Sequence, residues 1–208
     1  MRIIVFGATG GTGQEVIAQG LGAGYSTTAF VHRPKAIPTE HPHLSIVLGD
    51  ALNMQKVAKA IQGHDAVISA LGVKTTQALK SPGTAISMET DNIINSMQQH
   101  HVRRLLFISS FGVNEEVFLL EKLLLRTVLK NLFQDIPAQE ALIRDSDLDW
   151  TIIRPARLTF GSRTGKYRAG EHIKINPFSH ISRSDVADYI VRNIQNPKTI
   201  HRTPTLSY

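Results

Sequence analysis

The residues best placed to do chemistry stand at the start of the chain. Gly7, Thr9, Gly10, Gly11, Thr12 and Gly13 form a loop of small and hydroxyl residues, with Gly7, Gly10 and Gly13 at three-residue intervals. Such a loop between a strand and a helix cradles a diphosphate. Glycine lets backbone approach the anion, and the first N–H groups of the helix, with its dipole, face it. Thr9 and Thr12 add hydroxyl donors. Arg33 stands about twenty residues beyond Gly13, where an NAD site places a carboxylate on the ribose 2′-hydroxyl. An arginine there suits the 2′-phosphate of NADP. One charge-assisted hydrogen bond of roughly 1.5–3 kcal/mol gives about a ten- to hundredfold preference for NADP(H) over NAD(H). Asp50 closes a strand on what would be the ligand side, although Asp50 or Asn53 could equally cap the next helix. Gly72 offers backbone that can pass beneath a cofactor.

The elements that must position these residues follow a repeated pattern. Ile3, Ile4, Val5 and Phe6 form an apolar, β-branched run suited to a strand buried on both faces. Residues 14–21 read as a helix with Val16, Ile17 and Leu21 on one stripe, thinning through Gly20 and Gly22 and capped by Gly24. Further strands are expected at 26–32, 44–48, 65–71, 104–110 and 149–155, and a surface loop at 34–43. Helices are expected at 53–61, with Val57, Ala60 and Ile61 inward, and at 83–101, with Ile86, Ile93, Ile94 and Met97 inward. Strand, helix, strand with short joins predicts an α/β fold, a doubly wound parallel sheet in three α/β/α layers. Residues 1–208 read as one domain, with substrate-side elements at about 111–137 and 156–180.

The later elements are less regular. Residues 116–135 read as a helix with a narrow polar stripe and a broad apolar face, which suits a core helix, a dimer face or a lid over a flat substrate. A short helix is expected at 138–144, then loop and short strand through 161–180. The last helix is expected at 184–194 with Ser184 as its cap, and an edge strand at 203–208.

Composition narrows the partners. The 208 residues are 42% hydrophobic, enough for a real core, and no apolar run approaches the roughly 20 residues of a membrane span. Cysteine is absent and the first strand begins at once, which predicts a cytoplasmic protein without a secretory leader. The net charge is +6, but the basic residues are scattered. That favours an anionic small molecule, with no nucleic acid and no membrane as partner. The oligomeric state is left as monomer or homodimer.

The segments GATGGTG at 7–13, GD at 49–50, ALG at 70–72, SS at 109–110, DWTIIRPARLT at 149–159 and ISRSDVADYIV at 181–191 together carry a family likeness. The chain resembles atypical short-chain dehydrogenase/reductases of the NAD(P)-binding Rossmann fold. It looks most like the small NAD(P)H-binding group that includes flavin reductase/biliverdin-IXβ reductase and NmrA-like proteins. The resemblance implies pyrophosphate at Gly7, Thr9, Gly10, Gly11, Thr12 and Gly13, and the 2′-phosphate at Arg33. It implies adenine against Asp50 and Ala51, and ribose and nicotinamide bordered by Ala70, Leu71, Gly72, Ser109 and Pro155. Ser110 matches the serine beside the nicotinamide and is the expected catalytic residue. No metal is expected.

One departure shapes the expected activity. Related enzymes use a Tyr-x-x-x-Lys pair, but the corresponding places hold Leu132 and Ile136, and the pair occurs nowhere in this sequence. Reduction of a simple ketone needs a proton donor in the transition state. A conjugated acceptor delocalises the incoming charge and needs chiefly to be held face-on. The expectation is therefore an NADPH-dependent reductase of a flavin, quinone or tetrapyrrole-type acceptor, with FMN as a candidate substrate. Phe111 and Phe118 would give an apolar platform, and Arg157, Arg163, Lys166 or Arg168 would meet an anionic tail. A non-catalytic NADP(H)-binding redox sensor is the alternative, and a sugar epimerase or carbonyl reductase is disfavoured.

Overall fold

Alternate residues of the first strand, β1 (Arg2–Phe6), feed two separate cores. Ile3 and Val5 share one with Val16, Ile17 and Leu21 of α1 (Gly11–Gly22), and with Val186 and Ile190 near the end of the chain. Ile4 and Phe6 share the other with Val57, Ile61, Ile93 and Met97. A strand covered on both faces has no polar side, hence the unbroken apolar run. The computed structural model describes residues 1–33, 37, 40–72, 84–110, 130–176 and 178–208, except the side chains of 84–86 and 130–135.

The remaining elements are β2 (Ser26–Val31), β3 (Leu44–Leu48), α2 (Met54–Ile61), β4 (Ala66–Ser69), α3 (Thr84–Gln99), β5 (Arg104–Ile108) and α4 (Lys130–Arg144). They continue with β6 (Asp149–Pro155), β7 (Arg157–Thr159), β8 (Arg168–Gly170), β9 (His180–Ser182), α5 (Arg183–Asn193) and β10 (Thr205–Ser207). The main sheet runs β3-β2-β1-β4-β5-β6-β10-β8, parallel except for the β10–β8 pair, while β7 and β9 form a small parallel pair. Order reverses across β1, so the crevice between β1 and β4 is the switch point at which open α/β sheets take ligands. The doubly wound α/β expectation holds.

Three local readings are corrected and one open alternative is decided. Residues 203–208 do not supply the edge of the sheet: β10 lies between β6 and β8, and β8 forms the edge. Ser182, not Ser184, caps α5; its backbone is extended and its Oγ accepts from the Asp185 N–H at 3.0 Å. Ser184 already lies in the first turn and donates to Glu15 Oε2 at 2.8 Å. No separate helix starts at 138, because α4 continues through Pro137. The proline forfeits one amide bond, but buried Gln139, Glu140 and Ile143 hold that side against the sheet. Finally, Asn53 caps α2, accepting from the Lys56 N–H at 3.0 Å, while Asp50 accepts from the Leu52 N–H in the preceding turn. Of the helix expected at 116–135, residues 116–129 lie outside the described residues and 130–135 begin α4.

Candidate cofactor-binding site

The turn between β1 and α1 is built so tightly that two of its positions admit only glycine. Gly7 has φ +72°, and a Cβ there would collide with the Ala70 carbonyl and lie 2.7 Å from the Leu71 nitrogen. A Cβ on Gly13 would collide with the Gly7 oxygen. The Gly10 N–H donates to the Gly7 carbonyl at 3.0 Å, and the Gln14 N–H to the Gly10 carbonyl at 2.9 Å. The preceding N–H groups of α1, on Gly11, Thr12 and Gly13, have no intrahelical acceptor. The positive end of α1, capped by Gly10, thus carries no side-chain cap and no carboxylate in its first turn, which fits a pyrophosphate.

Parallel register lines up the other expected residues at the same edge. Phe6 pairs with Phe30 and Ser69, Ser69 with Phe107, and Ile108 with Ile153. The segments that follow therefore stand in a row: Gly7, then Ala70 to Gly72, Ser109 and Ser110, and Pro155. A Cβ on Gly72 would meet open space. Arg33 is exposed just beyond β2, and Asp50 and Ala51 follow β3. Asn92 of α3 donates to the Ala51 carbonyl at 2.9 Å, which pins the Asp50–Ala51 turn. Glu89, one turn earlier, has its pKa pushed up to about 7, by burial first and by the Asp50 carboxylate second. Ser110 is exposed at the edge. Phe111 and Phe118 lie outside the described residues. Arg157 stands on β7, off the main sheet and exposed. Arg163 faces Asp188 at 3.7 Å, and Arg168 donates to the Tyr208 carbonyl at 2.6 Å.

Two buried carboxylates that brace this edge escaped the sequence reading. Glu140 of α4 is 1% exposed and accepts from Ser109 Oγ at 2.6 Å, Arg154 Nε at 3.0 Å and Arg154 Nη2 at 2.6 Å. Burial raises its pKa, but the bonds from Arg154 and Ser109 and the charges of Arg154 and Arg144 outweigh it and hold the carboxyl below its usual range. Asp185 of α5 gathers the Thr164 N–H and Oγ1, the Gly165 N–H and the Tyr208 hydroxyl at 2.6–2.8 Å. Its only local signal was the acidic residue three places after Ser182, read instead as part of a helix start.

The four tyrosines are all accounted for. Tyr167 donates to Asp188 at 2.9 Å; burial and that bond push its pKa above the ordinary phenol range. Tyr208 is committed to Asp185. Tyr189 is buried in a core, and Tyr25 precedes β2 at the opposite end of the sheet. Among the described residues no group of three or more His, Asp or Glu side chains could hold a metal, and no helix is long and apolar enough to cross a membrane.

Residues 7–197 match the family model described as NAD(P)H-binding. The chain belongs to that NAD(P)H-binding family. The expected membership of an NAD(P)H-binding group is borne out with it. A 3-beta-hydroxysteroid dehydrogenase of Mycolicibacterium neoaurum is 30% identical over 120 residues, 54% of this chain and 32% of that protein. The chain spans 32–61% of the length of the first curated relatives it matches. A wide-type short-chain dehydrogenase/reductase from Veillonella parvula, solved in complex with NADP, superposes with TM-score 0.83 at 18% identity, covering 100% of this chain and 94% of that one. ChuY, an anaerobillin reductase of Escherichia coli O157:H7, superposes with TM-score 0.80 at 20% identity, covering 99% and 96%. These likenesses establish the Rossmann fold of the NAD(P)H-binding chain.

Proposed function

We propose that this NAD(P)H-binding protein is an NADPH-dependent reductase of conjugated acceptors of the flavin, quinone or tetrapyrrole type. The observation that carries the reading is the fate of the tyrosines: two hydroxyls are committed to carboxylates, one ring is packed in the core, and one lies at the far end of the sheet. The chain has no Tyr-x-x-x-Lys pair to serve reduction of a simple ketone, which needs a positioned proton donor.

The turn from Gly7 to Gly13 would hold the pyrophosphate, Arg33 the 2′-phosphate, and Asp50 and Ala51 the adenine. Ala70, Leu71, Gly72, Ser109 and Pro155 would border the ribose and nicotinamide. NADPH bound there supplies the hydride. Ser110, exposed at the end of β5, orients the nicotinamide or the acceptor, and Arg157 lies on the substrate side. Because the acceptor spreads the incoming charge, its proton can follow from solvent, and catalysis rests on proximity and orientation. The reductase named among the structural neighbours supports this reading only as analogy.

A non-catalytic NADP(H) sensor would use the same cofactor residues and equally lack a donor. The absence of cysteine removes one simple redox-sensing chemistry and favours catalysis. NADPH oxidation measured with FMN, riboflavin, biliverdin and a quinone, beside a simple ketone and a steroid, tests the proposal. Turnover confined to the conjugated acceptors is expected. Turnover confined to the ketone or steroid overturns it, and tight NADPH binding with no turnover on any acceptor moves the assignment to the sensor.

A further inference from the structure

Arg183 is the first residue of α5, and it reaches the first turn of α1. The two helices are tied together by Gln19 Nε2, which donates to the Ser184 carbonyl at 2.8 Å, and by the Ser184–Glu15 bond. As a result, a Cβ on Gly11 would lie 2.7 Å from Arg183 Cδ and 3.1 Å from its Nε. A Cβ there would push the arginine side chain aside. The guanidinium carbon sits 4.4 Å from the centroid of the Phe160 ring, a side chain that is itself 87% exposed. An aromatic face this close to a guanidinium favours its position by a cation–π contact.

The guanidinium is short of an acceptor. Arg183 Nη1 is buried and has no hydrogen-bond partner among the described residues. Arg104, the arginine inside the opposite end of the sheet, shows what the fold does with a purely structural guanidinium. Its nitrogens donate to the carbonyls of Ile194, Asp149 and Asn193 and to the hydroxyls of Thr151 and Thr199. Buried donors are normally satisfied in this way, so one left over marks a missing partner.

We propose that Arg183 is a further cofactor residue, whose guanidinium donates to a pyrophosphate oxygen seated on the first turn of α1. The proposal rests on the NAD(P)H-binding reading of the glycine turn and adds a side chain from the far end of the sequence to it. Arginine pairs with phosphate oxygens through two parallel donors. Arg183 adjoins Gly11, whereas Arg33 follows β2, so the two would serve different phosphates. Gly11 then has two duties: its N–H faces the anion, and its missing Cβ admits the arginine.

Binding of NADPH and NADH, followed by nicotinamide fluorescence, is compared for the unaltered protein, Arg183→Ala, Arg183→Lys and Phe160→Ala. Adenosine 2′-monophosphate, which lacks the pyrophosphate, is titrated beside them by calorimetry. Arg183→Ala is expected to weaken NADPH and NADH by the same factor, about ten- to hundredfold, and to leave adenosine 2′-monophosphate unchanged. Lysine should recover part of the loss, and Phe160→Ala should weaken both dinucleotides by a smaller common factor. Unchanged dinucleotide binding, a loss confined to NADPH, or an equal loss of adenosine 2′-monophosphate overturns the proposal. If Arg183→Ala does not fold, the lysine and Phe160 variants decide it, and wild-type affinity in both overturns it. An unaltered protein that binds neither dinucleotide overturns the NAD(P)H reading itself, a result distinct from any of these.

Discussion

Ser109 Oγ lies 2.6 Å from Glu140 Oε1, and Arg154 Nη2 lies 2.6 Å from Glu140 Oε2. One buried carboxylate therefore ties the end of β5 and the end of β6 to α4. These are the strand ends proposed to border the nicotinamide, so the bond fixes the residue beside Ser110.

Replacing Glu140 with alanine leaves the bonds from Arg154 and Ser109 unmade in a buried place. Breaking a buried ion pair from one side costs about 3–5 kcal/mol. For a chain of this size that lowers Tm by roughly 6–20 °C. Thermal unfolding measures it, and a change within 2 °C or so would show that the pair does not brace the edge.

Glu89 sets a pH dependence. Its pKa is raised to about 7 by burial and by Asp50, so the folded state holds the proton more tightly than the unfolded one. This group's contribution to stability then falls as pH rises from the ordinary carboxyl range to about 7, and stays level above. Glu89→Gln removes the loss. The variant should melt above the parent at pH 8, with the gain fading toward pH 4.5; an equal difference at both pH values would contradict this.

Asp185 behaves in the opposite sense. Burial raises its pKa, but the bonds from Tyr208, Gly165 and Thr164 outweigh it and leave the carboxyl below its usual range. Its contribution is complete above the ordinary carboxyl pKa and is lost as pH falls through the depressed folded value. Asp185→Asn should cost about 2 kcal/mol or more at pH 7, and the gap from the parent should narrow in acid. Proteolysis near Thr164 should also quicken, since Thr164 Oγ1 and the Tyr208 hydroxyl lose their Oδ2 acceptor while the Thr164 and Gly165 amides keep Oδ1.

The parts of the fold legible in the sequence are those written in local pattern. The apolar run from Ile3 to Phe6, the glycines behind it and the strand from Asp149 to Pro155 each declare themselves within a few residues. The place of β10 between β6 and β8 does not, because strand order is settled by which edge remains open, not by the strand's own composition. Ser182 and Ser184 both suit a cap, and only the turn from β9 into α5 chooses between them. Long-range polar pairs left still less trace. Glu140 meets Arg154, and Asp185 meets Tyr208, through the packing of separate elements, and no periodicity announces either bond.

The most direct measurement is NADPH oxidation with FMN as acceptor, compared with NADH and with Arg33→Ala. The account predicts protein-dependent turnover with kcat/KM about ten- to hundredfold higher for NADPH, a preference that Arg33→Ala erases. Equal or better use of NADH would contradict the assignment of Arg33, and no turnover with either nucleotide would contradict the reduction of FMN itself.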